Sequence, residues 1–392
     1  MSEPQSLEAL LAIEHLLTDE EKAIRDSIRS WVKERFLPAL TEAHRKETFP
    51  MELIPELAAL GAFGASIEGY GCAGLNNVAY GLVLQELERG DSGLRSLTSV
   101  QGSLVMYPIL MFGNQEQRNK WLPKLATGEM IGCFGLTEPG AGSDPASMMT
   151  TAKRDGDTYV LNGVKSWITN SPISDLALVW AKDLDDEHRI RGFVIERGTQ
   201  GYDTPYIEGK FSLRASPTGE IHLTDCRVPA SNLLPKTNGL KSPLMCLTQA
   251  REGIAWGVTG PALDCYETVL NYGKERIAFG KPIAQFQLYQ AQLAEMATMI
   301  VNSQLMSLHF GRLKDEGKLS PVQVSMHKRH NVACTRQIAS MARGMLGAIG
   351  ITDAYPVIRH MMNIESVYTY EGTHEVHTLS IGRALTGLNA FF

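Results

Sequence analysis

The sequence predicts a multidomain α and β chain in α–β–α order. An N-terminal helical domain (1–130) is followed by a central antiparallel β domain (131–238) and a C-terminal domain like a four-helix bundle (239–392). Three observations predict this. Helical spacing of apolar residues and helix-start signals run up to about residue 130. From Ile131 to Pro229 the text changes to short β-prone runs separated by turn residues, without helices between them, as in an antiparallel sandwich or barrel. Beyond Leu240 the apolar period returns to three and four.

In chain order, Thr18-Asp19-Glu20-Glu21 has capping-box spacing, and Ile24, Ile28 and Trp31 then step by four and three, so a helix starts near residue 19. Pro50 and Pro55 punctuate short helices up to about Gly64, and helices are expected over 76–88 and 99–112. Gly69-Tyr70-Gly71-Cys72-Ala73-Gly74 matches the dinucleotide fingerprint, but that motif needs a preceding strand, and helical text precedes it here. It reads as a glycine loop between helices. Glu88 and Arg95, seven apart, would share a face of a continuous helix, most simply as a surface ion pair. The runs 159–161 and 164–168 around Asn162-Gly163 predict a hairpin with a type I′ turn. Strands follow over 176–181, 191–196 and 220–224, the first two separated by the polar turn Asp183-Leu184-Asp185-Asp186. In the last part Leu293, Met296 and Ile300 share a face, as do Cys334, Ile338, Met341 and Met345. The methionines read as core, and the bundle is expected to leave one face for another subunit.

Composition excludes several function classes. A hydrophobic fraction of 44% and a charged fraction of 20% are those of a soluble globular protein. Net charge is -6, with no long basic run, which argues against nucleic-acid partners and acidic membrane surfaces. The six cysteines form no Cys-x-x-Cys pair and read as reduced core residues. Glu3, Glu8 and Glu14 fall early, no signal pattern is seen, and no apolar run is long enough to cross a bilayer. The expectation is a cytoplasmic protein without membrane insertion (mitochondrial matrix for a processed eukaryotic chain).

Chemistry concentrates in a few segments. Glu371 sits between Tyr370 and Gly372: an apolar wall raises a carboxylate's pKa and makes it a better base, and the glycine admits a close flat ligand. The bland alternative is an exposed helix-terminal turn. The nearby His374-Glu375-Val376-His377 imitates the zinc-protease pattern, but its histidines are three apart rather than four, so no metal is expected. Phe134-Gly135-Leu136-Thr137-Glu138-Pro139-Gly140-Ala141-Gly142-Ser143-Asp144 offers backbone N–H groups and hydroxyls to a planar ring or a phosphate, or is simply a connection between domains. Trp167-Ile168-Thr169-Asn170-Ser171 can cover a flat cofactor or end a core strand. In Arg276-Ile277-Ala278-Phe279-Gly280-Lys281-Pro282, an arginine at a helix end can grip a pyrophosphate or merely compensate the helix dipole.

In this order and together, the segments resemble the acyl-CoA dehydrogenase flavoprotein family over nearly the whole chain. Phe211-Ser212-Leu213-Arg214-Ala215-Ser216, Gly253-Ile254-Ala255-Trp256-Gly257 and Tyr370-Glu371-Gly372-Thr373-His374 are similar to its glutaryl-CoA branch. The resemblance implies FAD between the β domain and the C-terminal bundle. Its contacts would be Phe134, Gly135, Leu136, Thr137, Ser143, Trp167, Ile168, Thr169 and Thr373, together with Arg276, Phe279, Gln287 and the loop Gly344, Met345, Leu346, Gly347 and Ala348, partly reached from another subunit of a homotetramer. It makes Glu371 the catalytic base, and gives Ser143, Arg251 and Gly372 to the thioester and CoA side. Arg95 and Ser96 fall to a distal carboxylate, with Glu88 and Tyr370 near it. The implied reaction is oxidative decarboxylation of glutaryl-CoA to crotonyl-CoA and CO2, with electrons passed to electron-transfer flavoprotein. Ala348-Ile349 replaces the family's usual Gly-Asn, Leu94 a common tyrosine, and His374-Glu375-Val376 the usual His-Asp-Ile. Competing readings are a short-chain or non-decarboxylating member, an oxidase, and a non-catalytic flavin-binding helical scaffold.

Overall fold

A computed structural model describes residues 7–391; Glu3 lies outside them. Helix α1 (Asp19–Trp31) starts where its capping box places it: Glu21 N donates to Thr18 Oγ1 at 3.2 Å and Thr18 N to Glu21 Oε2 at 2.9 Å. Short helices at Met51–Leu53 and Ile54–Ala59 precede the glycine loop, in which Gly69 (φ 80°), Gly71 (φ 84°) and Gly74 (φ 67°) take left-handed backbone. Asn76 caps α2 (Asn77–Gly90), whose residues are almost all buried.

The chain then breaks at Asp91 (φ −162°, ψ 142°), whose carboxylate accepts from Gly93 N at 2.7 Å and starts α3 (Ser92–Ser99). A wider π-helical stretch (Val100–Met106) carries the helical path on to Phe112. This break corrects the reading of Glu88 and Arg95. They stand on two helices, not one, and in the interior, not on the surface: Arg95 is 1% and Glu88 0% exposed.

The described residues contain a sheet of seven strands: β1 (Gly132–Gly135), β2 (Thr151–Asp155), β3 (Thr158–Thr169), β4 (Leu176–Asp183), β5 (Arg189–Glu196), β6 (Tyr202–Asp203) and β7 (Thr218–Pro229). The order is β1-β4-β2-β3-β7-β6, with β5 also on β4. Pairing is antiparallel except where the buried β4 meets β1 and β2, which run parallel to it.

Asn162-Gly163 is not a hairpin turn. Both residues lie inside β3, and the β2–β3 turn falls earlier, at Gly156 (φ 59°) and Asp157. Asn162 instead bonds across to β7, donating to Asp225 Oδ1 (3.1 Å) and accepting from Asp225 N (2.8 Å). At Gly163 (φ 151°) a Cβ would lie 2.4 Å from Thr150 Oγ1, so the glycine serves a register shift and a close approach.

The C-terminal part holds α4 (Lys241–Gly257), α5 (Thr259–Glu275), α6 (Gln287–Asp315), α7 (Pro321–Met345), α8 (Val357–Thr369) and α9 (His374–Thr386). α7 is its hub, packed on α4, α5, α6, α8 and α9. Met296, Ile300 and Ile338 are buried as their spacing predicts. The buried helix α2 packs against α4, α5 and α6, so the N-terminal part reaches into the bundle. That insertion brings Glu88 and α3 to the end of α8, at Tyr370.

Candidate active site

Between α8 and α9 the chain runs Tyr370-Glu371-Gly372-Thr373. Thr373 caps α9, its Oγ1 accepting from Val376 N at 3.2 Å. Glu371 has φ 50° and Gly372 φ 90°. A left-handed glutamate is uncommon and persists only where its surroundings hold it. Here two cations hold it: Lys328 Nζ of α7 donates to the carbonyls of Tyr370 and Gly372 (2.6 Å to the latter), and Arg251 Nε of α4 donates to the Glu371 carbonyl at 2.7 Å. No side chain fits at Gly372, where a Cβ would stand 2.8 Å from His377 Nε2.

The Glu371 side chain is half-buried, and its Oε2 is buried without a hydrogen-bond partner. Burial raises its pKa above the ordinary value, against the pull of Arg95, Lys328 and Arg251. Burial also takes Lys328 down to about 7, opposed by Glu371. His377 falls to about 3 through burial and the neighbouring Lys328 and Arg251 charges, so it stays neutral.

Arg95 forms the adjoining wall. Its Nε donates to Glu88 Oε2 at 2.6 Å, its Nη1 to Ser99 Oγ at 3.1 Å and its Nη2 to the Tyr370 hydroxyl. Ser96 Oγ lies 3.5 Å from that hydroxyl. Burial alone would lower the Arg95 pKa, but Glu88 and Tyr370 outweigh it. The Tyr370 phenol is pushed up to about 12 by its burial. The structure thus gathers Glu88, Arg95, Ser96, Arg251, Tyr370, Glu371 and Gly372. Lys328, absent from the sequence reading, joins them. Its signal was a charged residue on the buried face of α7, four from both Val324 and Val332.

A second group lies on the β domain. Phe134 and Leu136 are buried and Thr137 half-buried, its carbonyl accepting from Ser166 N at 2.9 Å. The following loop, which exposes Gly140, Gly142 and Ser143, is braced from below. Lys165 Nζ donates to Glu138 Oε1 (2.8 Å) and Leu136 O (3.2 Å), while Thr150 N donates to Glu138 Oε1 at 3.0 Å. Burial takes Lys165 down to about 8 although Glu138 opposes it. A register shift between Lys165 and Ile168 turns Trp167 outward at φ 61°, leaving it 63% exposed beside the buried Ile168 and half-buried Thr169.

The third group stands apart. Arg276 ends α5, Phe279 is 96% exposed on the small hairpin after it, and Gln287 starts α6. A cavity of about 420 Å³ there is lined by Ile283, Phe286, Leu288, Tyr289, Gln292, Gly344 and Met345. Leu346 is buried, while Gly347 and Ala348 are exposed beyond it. Along α7 this group is about 24 Å from Lys328, at 1.5 Å per residue.

A half-buried carboxylate with one oxygen buried and unpartnered, and a separate face carrying an outward indole, suit an oxidoreductase that removes a proton on one side of its substrate and electrons on the other. Sequence models of the acyl-CoA dehydrogenase N-terminal, middle and C-terminal domains match residues 18–129, 133–226 and 237–386. The chain belongs to the acyl-CoA dehydrogenase family, whose members are FAD-dependent oxidoreductases. It is 50% identical to a glutaryl-CoA dehydrogenase structure from Mycobacterium smegmatis, at TM-score 0.97 over 99% of this chain and 100% of that one. It is 46% identical to a Mycobacterium smegmatis glutaryl-CoA dehydrogenase in complex with FADH2, also at TM-score 0.97 over 99% of this chain and 100% of that one. The human mitochondrial short-chain specific acyl-CoA dehydrogenase is 32% identical over 372 residues, covering 93% of this chain and 90% of that protein. The residues present fit FAD. Trp167 offers a flat apolar face, and Gly140 and Gly142 leave their loop open, with nothing within 4 Å of a Cβ.

Among the described residues no helix is long and apolar enough to cross a membrane. His374 and His377 take separate roles: the first stacks on Tyr368 at 4.6 Å, the second backs Gly372.

Proposed function

We propose that the protein catalyses oxidative decarboxylation of glutaryl-CoA to crotonyl-CoA and CO2. The observation that carries this reading is the buried Arg95–Glu88 pair bonded to Tyr370, the residue before Glu371. A buried ion pair is often less stabilising than apolar residues of the same volume, so stability alone does not account for one beside the base. A permanent, fully buried cation at this end of the site suits a substrate whose distal end is a carboxylate.

Glu371 removes the α-proton of the thioester; its desolvation strengthens it as a base. Backbone N–H groups around Gly372 are suited to polarise the thioester carbonyl, with Arg251 steadying that stretch from behind. Phe134, Gly135, Leu136, Thr137, Ser143, Trp167, Ile168, Thr169 and Thr373 would hold the flavin, and Arg276, Phe279, Gln287 and residues 344–348 its distant end. When bound, FAD accepts the two electrons and the β-hydrogen of the substrate. Loss of CO2 from the unsaturated product leaves a dienolate, which protonated Glu371 quenches. The separation along α7 of the 344–348 loop from Lys328 supports sharing of cofactor contacts between subunits of a homotetramer, with electron-transfer flavoprotein as acceptor.

A second reading, a short-chain dehydrogenase without decarboxylation, is favoured by the human relative and by Glu88 already neutralising Arg95. Anaerobic screening of acyl-CoAs for bleaching of the flavin, with assays for CO2 and crotonyl-CoA, separates the two. Glutaryl-CoA should bleach fastest and release CO2. Faster bleaching by butyryl-CoA without CO2 from glutaryl-CoA would establish the second reading.

A further inference from the structure

The Glu371 backbone is left-handed and its three neighbouring carbonyls all point to cations from other helices. Arg251 holds the carbonyl of Glu371 itself, and Lys328 alone spans the two on either side. A single ammonium bonded to both flanking carbonyls fixes the peptide planes before and after Glu371, and so fixes where its side chain leaves the backbone. The same ammonium lies 5.8 Å from the centre of the Tyr370 ring. Lys328 is 2% exposed, and a lysine is rarely so buried without a carboxylate bonded to it. Here its bonds go to the neutral carbonyls of Tyr370 and Gly372, and the anion it faces is Glu371.

We propose that Lys328 is a positioning residue for the base: its ammonium clamps the Tyr370 and Gly372 carbonyls, holds Glu371 in left-handed backbone and sets the pH at which that carboxylate becomes active. The inference rests on Glu371 being the base. The groups facing Glu371 are Tyr80 from α2, Arg95 from α3, Arg251 from α4, Lys328 from α7 and the adjacent Tyr370. Arg95 is matched by Glu88, and His374 and His377 of α9 face Lys328. Of the three cations acting on Glu371, Lys328 is the one whose own proton is readily lost, because burial takes it down to about 7. The two groups therefore titrate together, in two steps that belong to the pair.

The test uses the FAD-loaded enzyme and its Lys328→Met, Lys328→Arg and Glu371→Gln variants. The protonated-carboxyl infrared band of Glu371, identified as the band missing in Glu371→Gln, is followed against pH without substrate. Flavin reduction by glutaryl-CoA is followed over the same range. In Lys328→Met the band should persist to a pH at least about one unit higher, since an opposite charge within reach typically shifts a carboxylate by 1–3 units. Reduction should shift with it, about tenfold slower on the acid side for each unit. In the parent, loss of the Lys328 proton releases the two carbonyls and should slow reduction on the alkaline side; Lys328→Arg, whose charge does not titrate, should keep the acid step and lose this alkaline one. If Lys328→Met retains flavin but moves neither the band nor the rate profile, the proposal is wrong and Lys328 is a packing residue. If Lys328→Met fails to fold, an unchanged alkaline step in Lys328→Arg overturns it. Undiminished reduction by Glu371→Gln would instead overturn the assignment of the base.

Discussion

A glutamate at φ 50° with a buried, unpartnered oxygen is held in place at a cost of order 1–3 kcal/mol in backbone strain, before desolvation is counted. Such an arrangement makes sense for a base. Glu371→Gln keeps shape and volume and removes the proton acceptor, so flavin reduction by substrate should fall at least ~10²-fold with FAD content unchanged. Stopped-flow reduction checks this; a near-normal rate would place the base elsewhere. The pH dependence follows from direction: burial raises the Glu371 pKa, so the active carboxylate is lost as pH falls through a value above the ordinary 4.5. A reduction profile whose acid limb lies below 4.5 would contradict the burial. Arg95→Met, made together with Glu88→Gln so that no buried carboxylate of the protein is stranded, should slow reduction by glutaryl-CoA far more than by butyryl-CoA, because an unpaired buried carboxylate typically costs about 3–5 kcal/mol. Equal losses on the two would mark Arg95 as structural. Glu371 was legible in the sequence because Tyr-Glu-Gly is a local pattern. Lys328 was not, because the carbonyls it clamps are more than forty positions away and a lone lysine in a helix reads as solvated.

Among the elements, the loop after β1 owes its shape to a charge pair beneath it. Lys165, fully buried, reaches up from β3 to Glu138 and Leu136, and Thr150 closes the other end of the loop on the same carboxylate. Removing one partner strands a buried charge, typically at about 3–5 kcal/mol, whereas removing both is far milder. Lys165→Met should therefore lower the thermal midpoint and weaken FAD binding, and Lys165→Met with Glu138→Gln should recover much of both losses. A double variant no better than the single one would show that the pair does not act as a unit. The strand text predicted β3, β4, β5 and β7 but not β1, β2 or β6, and it misplaced its hairpin. Asn-Gly favours a tight turn, yet at 162–163 the cross-strand bonds of Asn162 to Asp225 and the space denied by Thr150 make it a bulge within β3. Likewise the seven-residue spacing of Glu88 and Arg95 suggested a shared helix face. The break at Asp91 is a tertiary event, and it turned a surface pair into an interior one.

One polar knot joins all three parts of the molecule. Asn363 of α8 is fully buried; its Nδ2 donates to Asp91 Oδ2 at 2.8 Å and its Oδ1 accepts from Leu213 N at 2.8 Å. One amide thus ties the α2–α3 break, the segment before β7 and the C-terminal bundle. Ser212 adds a 2.5 Å bond to Ser366, and Arg359 comes within 3.2 Å of Asp91. Each half of the amide satisfies a group that has left water, and a buried polar group without a partner costs about 1–3 kcal/mol. Asn363→Ala should orphan the Leu213 N–H and part of the Asp91 carboxylate together. The three parts would then hold one another less firmly, and the surfaces that meet around the flavin would loosen although Asn363 is not among the residues assigned to it. The expected result is a lower thermal midpoint and faster FAD loss on dilution, both measurable by flavin fluorescence. Asn363→Asp is the sharper variant: it still accepts from Leu213 but sets a second carboxylate against Asp91, so it should improve as pH falls, while Asn363→Ala should show no such recovery. An Asn363→Asp protein as stable as the parent at neutral pH would mean that Arg359 absorbs the added charge and that the knot is held by arginine rather than by the amide.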